Sequence, residues 1–122
     1  MRPDVLRIVI VDDHPIFRSG LSRSLEDEPG FEVVGEGASA ADAISLFDQH
    51  RPDIMLLDLS MPGGGHSALH VILRRDPTAS VIVLTASEHD SDISQALAEG
   101  AKGYVLKGVG VSELVNVISS VA

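Results

Sequence analysis

The chain has 122 residues, no cysteine and a formal net charge of −9. This length fits a single domain with its own core. The lack of cysteine excludes disulfides and thiolate metal sites, and no apolar run approaches the roughly 20 residues that span a bilayer. Because the start of the chain does not open a signal peptide either, we expect a soluble, cytoplasmic domain. The negative charge argues against direct binding of DNA or RNA, which requires clustered Lys and Arg.

Strand and helix patterns alternate along the whole chain. The predicted strands are apolar runs of the kind found in parallel strands buried on both faces: Leu6 to Val11, Phe31 to Val34, Ile54 to Leu57, Val81 to Leu84 and Tyr104 to Leu106. Helical periodicity predicts five helices: about Pro15 to Glu28, one capped by Ser39 and stopped by Arg51-Pro52, one ending near Asp76-Pro77, one marked by Ile93, Ala96 and Leu97, and one capped by Ser112.

Five such β-α units predict an α/β fold with right-handed crossovers and helices on both faces of a five-stranded parallel sheet. The architecture is a three-layer sandwich. One sequence does not give the strand order, but the flavodoxin-like order 2-1-3-4-5 is common for five units.

Polar side chains stand where four of these strands should end. Asp12 and Asp13 follow the first strand, Asp58 follows the third, Thr85 the fourth and Lys107 the fifth. Because the carboxyl ends of parallel strands meet at one edge of the sheet, these five groups are expected to converge there. The sequence therefore predicts a functional crevice at this edge.

The predicted crevice offers oxygen ligands, which suits Mg²⁺ better than zinc. Beside the metal ion, one carboxylate would still face a bound ligand. The reaction that fits this arrangement is attack of Asp58 on a phosphoryl group to give an aspartyl phosphate. Mg²⁺ and Lys107 would neutralise the phosphoryl oxygens, and the Thr85 hydroxyl would donate to one of them. Each residue alone also fits a plainer interpretation as a loop, turn, strand or surface residue, but the joint arrangement favours the site.

The histidines and a glycine run give weaker signals. His14 neighbours the acidic pair and could ligate a metal, although an exposed side chain at a helix start is the plainer interpretation. The remaining histidines form no zinc-binding pattern and are interpreted as surface or loop residues: His50, His66, His70 and His89. The run Gly63-Gly64-Gly65 lacks the lysine of a P-loop and is interpreted as a flexible turn.

Four segments resemble the receiver domain of bacterial two-component response regulators, the CheY-like domain. They are Val9-Ile-Val-Asp-Asp-His-Pro-Ile-Phe-Arg18, Asp58-Leu-Ser-Met-Pro-Gly63, Leu84-Thr-Ala-Ser87 and Gly100-Ala-Lys-Gly-Tyr-Val-Leu-Lys107. The resemblance covers residues 1–122 and is strongest to the NarL/FixJ branch, whose members usually carry a C-terminal LuxR-type helix-turn-helix domain. That effector domain is absent from this chain, so DNA binding is expected only through a part that lies beyond it.

The resemblance implies that Asp58 accepts a phosphoryl group from a phosphohistidine on a sensor histidine kinase. Asp13, Asp58 and the backbone carbonyl of Ser60 would ligate Mg²⁺, with Asp12 acting directly or through water, and Lys107 would pair with the phosphoryl group. The domain would catalyse only its own phosphoryl transfer and slow dephosphorylation, so it is not expected to be a turnover enzyme.

The resemblance also implies a switch. Thr85 would move toward the phosphoryl group and Tyr104 would turn inward, which changes the surface of the fourth helix, fifth strand and fifth helix and could promote a homodimer. Ser60 and Ser87 would tune the lifetime of the phosphoryl group.

Two positions depart from the family pattern. His66 stands where a glycine is common, eight residues after Asp58, so Gly64 and Gly65 are expected to supply the positive φ angles of the loop. Gly108 replaces a common proline after the lysine, which indicates a more flexible loop.

Three alternatives stay open. A haloacid-dehalogenase-like phosphatase would need an aspartate at Ser60. A flavodoxin-like carrier would need aromatic residues that the chain lacks. An atypical receiver would signal through dimerisation or partner binding without phosphorylation.

Overall fold

The structure, a computed structural model, describes residues 5–86 and 90–122, without the side chains of residues 90 and 91. Ten elements alternate along it. They are β1 (Leu6–Val11), α1 (Pro15–Glu26), β2 (Phe31–Gly37), α2 (Ala40–His50), β3 (Ile54–Asp58), α3 (Gly65–Arg75), β4 (Val81–Thr85), α4 (Asp90–Glu99), β5 (Gly103–Leu106) and α5 (Val111–Val121).

The five strands form one parallel sheet in the order β2-β1-β3-β4-β5. This confirms the predicted α/β class, the parallel sheet and the strand order 2-1-3-4-5. From β1 the chain adds β2 on one side and then β3, β4 and β5 on the other side. In sheets of this type a ligand-binding crevice lies where the direction of strand addition reverses, here beside the carboxyl ends of β1 and β3. The first and third strands therefore hold the centre of the expected site.

The core divides between the two faces of the sheet, because successive side chains of a strand point to opposite sides. On β1, Ile8 and Ile10 pack in a cluster with residues of α1 and α5, whereas Val9 and Val11 pack in a second cluster with residues of α2, α3 and α4. All four side chains are fully buried. The predicted three-layer sandwich is thus confirmed. Within the part of the chain that the structure describes, no helix has the length and apolar character needed to cross a membrane.

Several element bounds differ from the sequence prediction. β2 runs on to Gly37, three residues past the apolar run, because it keeps pairing with β1. β3 and β4 each gain their polar last residue, since Asp58 pairs with Leu84 and Thr85 pairs with Leu106. α1 ends at Glu26, two residues early. Ser112 does not cap α5, because that helix begins at Val111 with Gly110 in the N-cap position.

Local side-chain hydrogen bonds set two helix ends as the sequence predicts. The Ser39 hydroxyl accepts a hydrogen bond from the Asp42 N–H at 3.2 Å and caps α2. After α3, Asp76 Oδ1 accepts hydrogen bonds from the Thr78 hydroxyl at 2.6 Å and the Thr78 N–H at 3.0 Å. The Thr78 hydroxyl, followed by its N–H, holds the pKa of Asp76 below its usual value. The Ser39 bond fixes the residue at which α2 begins, and the two Asp76 bonds fix the turn that follows α3.

The Ser39 cap gives a first testable prediction. Replacing Ser39 with alanine leaves a backbone N–H of the first turn of α2 without its side-chain acceptor, and should lower the free energy of unfolding by about 1 kcal/mol. Urea unfolding followed by circular dichroism measures this change. Ser120, whose hydroxyl donates to Val117 O near the end of α5, is a matched control. An equal or larger loss in Ser120→Ala would contradict a special role for the cap.

Candidate functional site

Asp58 is the last residue of a strand in which every residue is buried, and it is itself inaccessible to solvent. Its two oxygens have different surroundings. Oδ1 accepts hydrogen bonds from the Ser60 N–H at 3.1 Å and from the Ser60 hydroxyl at 3.0 Å. Oδ2 accepts no hydrogen bond from the described residues and faces the Lys107 ammonium at 3.2 Å. The carboxylate is therefore held through one oxygen and leaves the other for a ligand.

Asp12 and Asp13 leave the end of β1 beside Asp58. Asp12 is fully buried, and the Asp13 side chain is 30% exposed. Arg18 of α1 fixes this turn, because its Nη1 donates to the Asp12 carbonyl at 2.6 Å and to the Gly37 carbonyl at 3.4 Å. The arginine thus ties the ends of β1 and β2 to the first helix.

Lys107 supplies the positive charge of the site. Its ammonium lies 2.8 Å from Asp12 Oδ2 and 3.2 Å from Asp58 Oδ2, and the side chain is 13% exposed. It also lies 5.2 Å from the centre of the Phe17 ring. The backbone N–H of Lys107 donates to the Thr85 carbonyl at 2.9 Å, which fixes the start of the loop after β5. This ammonium contacts two of the three carboxylates at this edge, so the three carboxylates retain an excess of negative charge.

The donor atoms of Asp12, Asp13, His14 and Asp58 all lie within 4.8 Å of one another. Three buried carboxylate oxygens, Asp12 Oδ2, Asp13 Oδ1 and Asp58 Oδ2, lack a hydrogen-bond donor among the described residues. Buried carboxylates with unmatched charge are costly unless a cation compensates them. The residues therefore fit a small divalent cation with oxygen ligands.

A cavity of about 230 Å³ opens beside the acidic cluster. It lies between the ends of β3 and β4 and is lined by Asp58, Leu59, Ser60, His66, Thr85, Ala86 and Asp92. Its size and position allow a phosphoryl-sized ligand to approach Asp58 from the side of Thr85. Thr85 and the buried Asp58 thus line the same cavity.

The interpretation of His66 as a surface or loop residue is wrong. It belongs to α3, its side chain is only 26% exposed, and it lines the cavity. Its ring nitrogens lie 3.7 Å from Asp92 Oδ1 and 3.7 Å from Glu99 Oε1 of α4, and Glu99 Oε2 lies 3.6 Å from His70 Nδ1. The sequence signal for this position is that His66 replaces a glycine that is common in the family. His66 thus joins α3 to α4 at the wall of the cavity.

The glycine run also differs from the expectation. Positive φ angles occur at Gly63 (86°) and Gly64 (89°), not at Gly64 and Gly65. Gly65 is instead the first residue of α3, and a Cβ atom there would lie 2.4 Å from the Asp58 carbonyl oxygen and 2.5 Å from Leu59 Cα. The tight contact between α3 and the end of β3 therefore requires Gly65 and leaves the next position free for His66.

The predicted site residues differ in where the structure places them. Asp12, Asp13, Asp58, Ser60 and Lys107 come together at the carboxyl edge of the sheet, and Thr85 lines the same cavity as Asp58. Tyr104 lies on β5 with 44% of its surface exposed, and Ser87 lies outside the described residues.

Two residues at the site were not predicted to act there. His14 is exposed at the start of α1, as expected, yet its ring nitrogen lies 2.9 Å from Asp12 Oδ1. Among the described residues, Arg18 binds backbone carbonyls and Glu36, and no residue pattern distinguishes such an arginine from a solvated one.

Comparisons with known proteins agree with this geometry. Residues 8–119 match the family model of the response regulator receiver domain. The response regulator GacA of Pseudomonas aeruginosa is 37% identical over 118 residues, which are 96% of this chain and 55% of GacA. The nitrate/nitrite response regulator NarP of Escherichia coli is 43% identical over 102 residues, 83% of this chain and 47% of NarP. The chain thus spans about half the length of these curated relatives.

Solved structures give the same result. A LuxR-family two-component response regulator from an Aurantimonas species superposes with a TM-score of 0.91 at 39% identity, covering 96% of this chain and 84% of that one. The signal receiver domain of the response regulator NarL from Mycobacterium tuberculosis gives 0.91 at 34% identity, covering 97% and 96%. These matches confirm the predicted family and its NarL/FixJ branch. The chain belongs to the response regulator receiver domain family, the signalling domains of two-component systems.

Proposed function

We propose that this chain accepts a phosphoryl group on Asp58 in a reaction that depends on Mg²⁺. The observation that carries the proposal is the fully buried Asp58 carboxylate, which faces the Lys107 ammonium through Oδ2 and belongs to a residue that lines a cavity of about 230 Å³. Family membership supports the same chemistry. The donor would be a phosphohistidine of a sensor histidine kinase.

In the proposed reaction Asp58 Oδ2 attacks the phosphorus atom. A new P–O bond forms, the P–N bond to the donor imidazole breaks, and the imidazole takes up a proton as it leaves. Ser60 holds Oδ1 through two hydrogen bonds and so fixes the plane of the attacking carboxylate. This positioning is the main contribution that a protein makes to phosphoryl transfer.

Positive charge would compensate the phosphoryl oxygens. Asp12, Asp13, Asp58 and the Ser60 carbonyl would hold Mg²⁺, which when bound supplies the charge that neutralises the transferring group. Lys107 already lies 3.2 Å from Asp58 Oδ2 and would exchange part of its pairing with Asp12 for a phosphoryl oxygen. The Thr85 hydroxyl would donate to another phosphoryl oxygen in the cavity that it lines.

The proposed output is a change of surface. Movement of Thr85 toward the phosphoryl group would open space for Tyr104, whose ring is 44% exposed on β5. Turning this ring inward would reshape the surface of α4, β5 and α5 and could favour a homodimer. DNA binding would belong to an effector domain outside this chain, in keeping with a solved relative, RcsB from Salmonella enterica, described as bound to a promoter. Ser60 and Ser87 would set the lifetime of the phosphoryl group.

We further propose that the kinase docks on α1 and the loop after β5. A groove of about 300 Å³ lies there, lined in part by Phe17, Val109 and Leu114, and the neighbouring Ile16 side chain is 90% exposed. An apolar groove that includes an exposed large apolar side chain is typical of a contact surface.

This surface gives a second prediction. Ile16→Asp should reduce the rate of phosphoryl transfer from a sensor kinase that phosphorylates the wild-type chain by at least about tenfold, because truncating or charging a central apolar contact typically costs 1–2 kcal/mol or more. The rate with acetyl phosphate should stay within about twofold, since the small donor needs no docking surface. Radiolabel transfer measures both rates. Equal losses with the two donors would contradict a docking role.

The proposed function is tested by intact mass spectrometry after incubation with acetyl phosphate and Mg²⁺. We expect one added phosphoryl group, lost in Asp58→Asn and in the presence of EDTA. Asp53→Asn is the matched control, because Asp53 precedes β3 at its opposite end and accepts a hydrogen bond from the Arg7 N–H at 2.9 Å. Absence of an adduct on the wild-type chain would contradict the proposal and favour a receiver that signals without phosphorylation.

A further inference from the structure

We propose that His14 is a fourth side-chain ligand of the cation site formed by Asp12, Asp13 and Asp58. Its imidazole would make this site prefer a divalent transition-metal ion such as Co²⁺ over Mg²⁺. The inference rests on the cation site of the proposed function and goes beyond it, because that function needs only oxygen ligands.

The backbone places His14 at the site. It occupies the N-cap position of α1, directly before Pro15, and its N–H donates to Asp12 Oδ1 at 2.8 Å. The side chain is 61% exposed, so one side of the ring faces the acidic cluster while the other faces solvent. A ligand in this position leaves room for water molecules on the ion.

Three distances from His14 Nδ1 to the carboxylate oxygens resemble the separations of donors around one ion. His14 Nδ1 lies 2.9 Å from Asp12 Oδ1, 3.3 Å from Asp13 Oδ1 and 4.0 Å from Asp58 Oδ2. Donors held about 2.1 Å from a six-coordinate ion are roughly 3.0 Å apart when adjacent and roughly 4.2 Å apart when opposite. The two short separations match adjacent donors, and the long one matches opposite donors.

A cation already contacts three of these four residues. The Lys107 ammonium lies 3.0 Å from His14 Nδ1, 2.8 Å from Asp12 Oδ2 and 3.2 Å from Asp58 Oδ2. In the tautomer that carries its proton on Nε2, His14 Nδ1 accepts from Lys107 through its lone pair, the same lone pair that would bind a metal. The buried oxygens Asp12 Oδ2 and Asp58 Oδ2 both face this ammonium, so they too mark a place where positive charge is held.

Ligand chemistry then sets the metal preference. Carboxylate, carbonyl and water ligands suit Mg²⁺, whereas imidazole suits transition-metal ions. Adding one nitrogen donor to an oxygen site should therefore raise the affinity for Co²⁺ much more than the affinity for Mg²⁺. His14 would act as a residue that determines metal specificity.

Isothermal titration calorimetry of the whole chain with Co²⁺ and with Mg²⁺, at one neutral pH, tests the inference. His14→Ala should weaken Co²⁺ binding by about tenfold or more and Mg²⁺ binding by less than about threefold, in line with the loss of one nitrogen ligand. His70→Ala is the matched control, because His70 is 59% exposed and also faces a carboxylate, that of Glu99. This control should leave both affinities unchanged.

Each other outcome has a defined meaning. If His14→Ala weakens neither ion, or weakens both equally, the inference is overturned while the proposed function stands. If His70→Ala instead weakens Co²⁺, the ion binds on α3 and the inference is also overturned. If the wild-type chain binds neither ion, the inference and the metal part of the proposed function fall together. Paramagnetic shifts of the His14 ring protons with Co²⁺, retained in His70→Ala, would give independent support.

Discussion

Replacing Gly65 with alanine is expected to lower the free energy of unfolding by about 3 kcal/mol, the upper range for overpacking a tight site. The added Cβ atom would meet the Asp58 carbonyl oxygen at 2.4 Å and Leu59 Cα at 2.5 Å. Both are backbone atoms of the segment that carries the site, so neither can move without shifting Asp58. We therefore also expect weaker Mg²⁺ binding in this variant.

Urea unfolding of Gly65→Ala and of Gly20→Ala checks this result. Gly20 lies in α1, where an added Cβ would meet nothing within 4 Å. Alanine there should stabilise the chain by about 0.5–1 kcal/mol, because glycine in a helix interior loses more backbone entropy. If the two variants are equally stable, the close approach of α3 to the end of β3 is not what requires glycine.

Replacing Lys107 with methionine should lower the free energy of unfolding by about 3 kcal/mol, because removal of one partner from a buried ion pair leaves an uncompensated charge. Asp12 and Asp58 are both inaccessible to solvent, and Lys107 is the ammonium that lies within 3.2 Å of an oxygen of each. Mg²⁺ should restore part of the loss, since it brings positive charge to the same carboxylates.

The matched control is Lys102→Met, since Lys102 is exposed. Its free energy of unfolding should change by less than about 0.5 kcal/mol, as is usual for surface substitutions. Thermal and urea unfolding with and without Mg²⁺ separate the two variants. Equal stability of Lys107→Met and Lys102→Met, or a Mg²⁺ effect no larger than in the wild-type chain, would contradict the charge balance proposed for the site.

The sheet could be predicted because each strand is a short, largely apolar run, and four of the five runs end at a polar residue. Parallel geometry then brings the ends of β1, β3, β4 and β5 to one edge, so the sequence alone predicts that Asp58 and Lys107 lie close together. Their proposed roles remain predictions. The extension of β2 to Gly37 was missed because Gly35, Glu36 and Gly37 carry no apolar signal, and only their pairing with β1 makes them a strand.

Other features depend on distances that a sequence does not contain. Serine is a residue type that often caps helices, but α5 begins at Val111, before Ser112, with Gly110 in the N-cap position. His66 looked exposed because its burial depends on how α3 meets α4. The three glycines were read one position late, since only the contact of Gly65 with the Asp58 carbonyl shows which glycine must lack a side chain.

The most direct test of the central claim locates the phosphoryl group. After incubation with acetyl phosphate and Mg²⁺, sodium borohydride reduces an aspartyl phosphate to homoserine, and peptide mass spectrometry identifies the converted residue. We expect conversion at Asp58, which has the buried carboxylate and the adjoining cavity, and none at Asp12 or Asp13. Conversion at another aspartate, with Asp58 unchanged, would contradict the account.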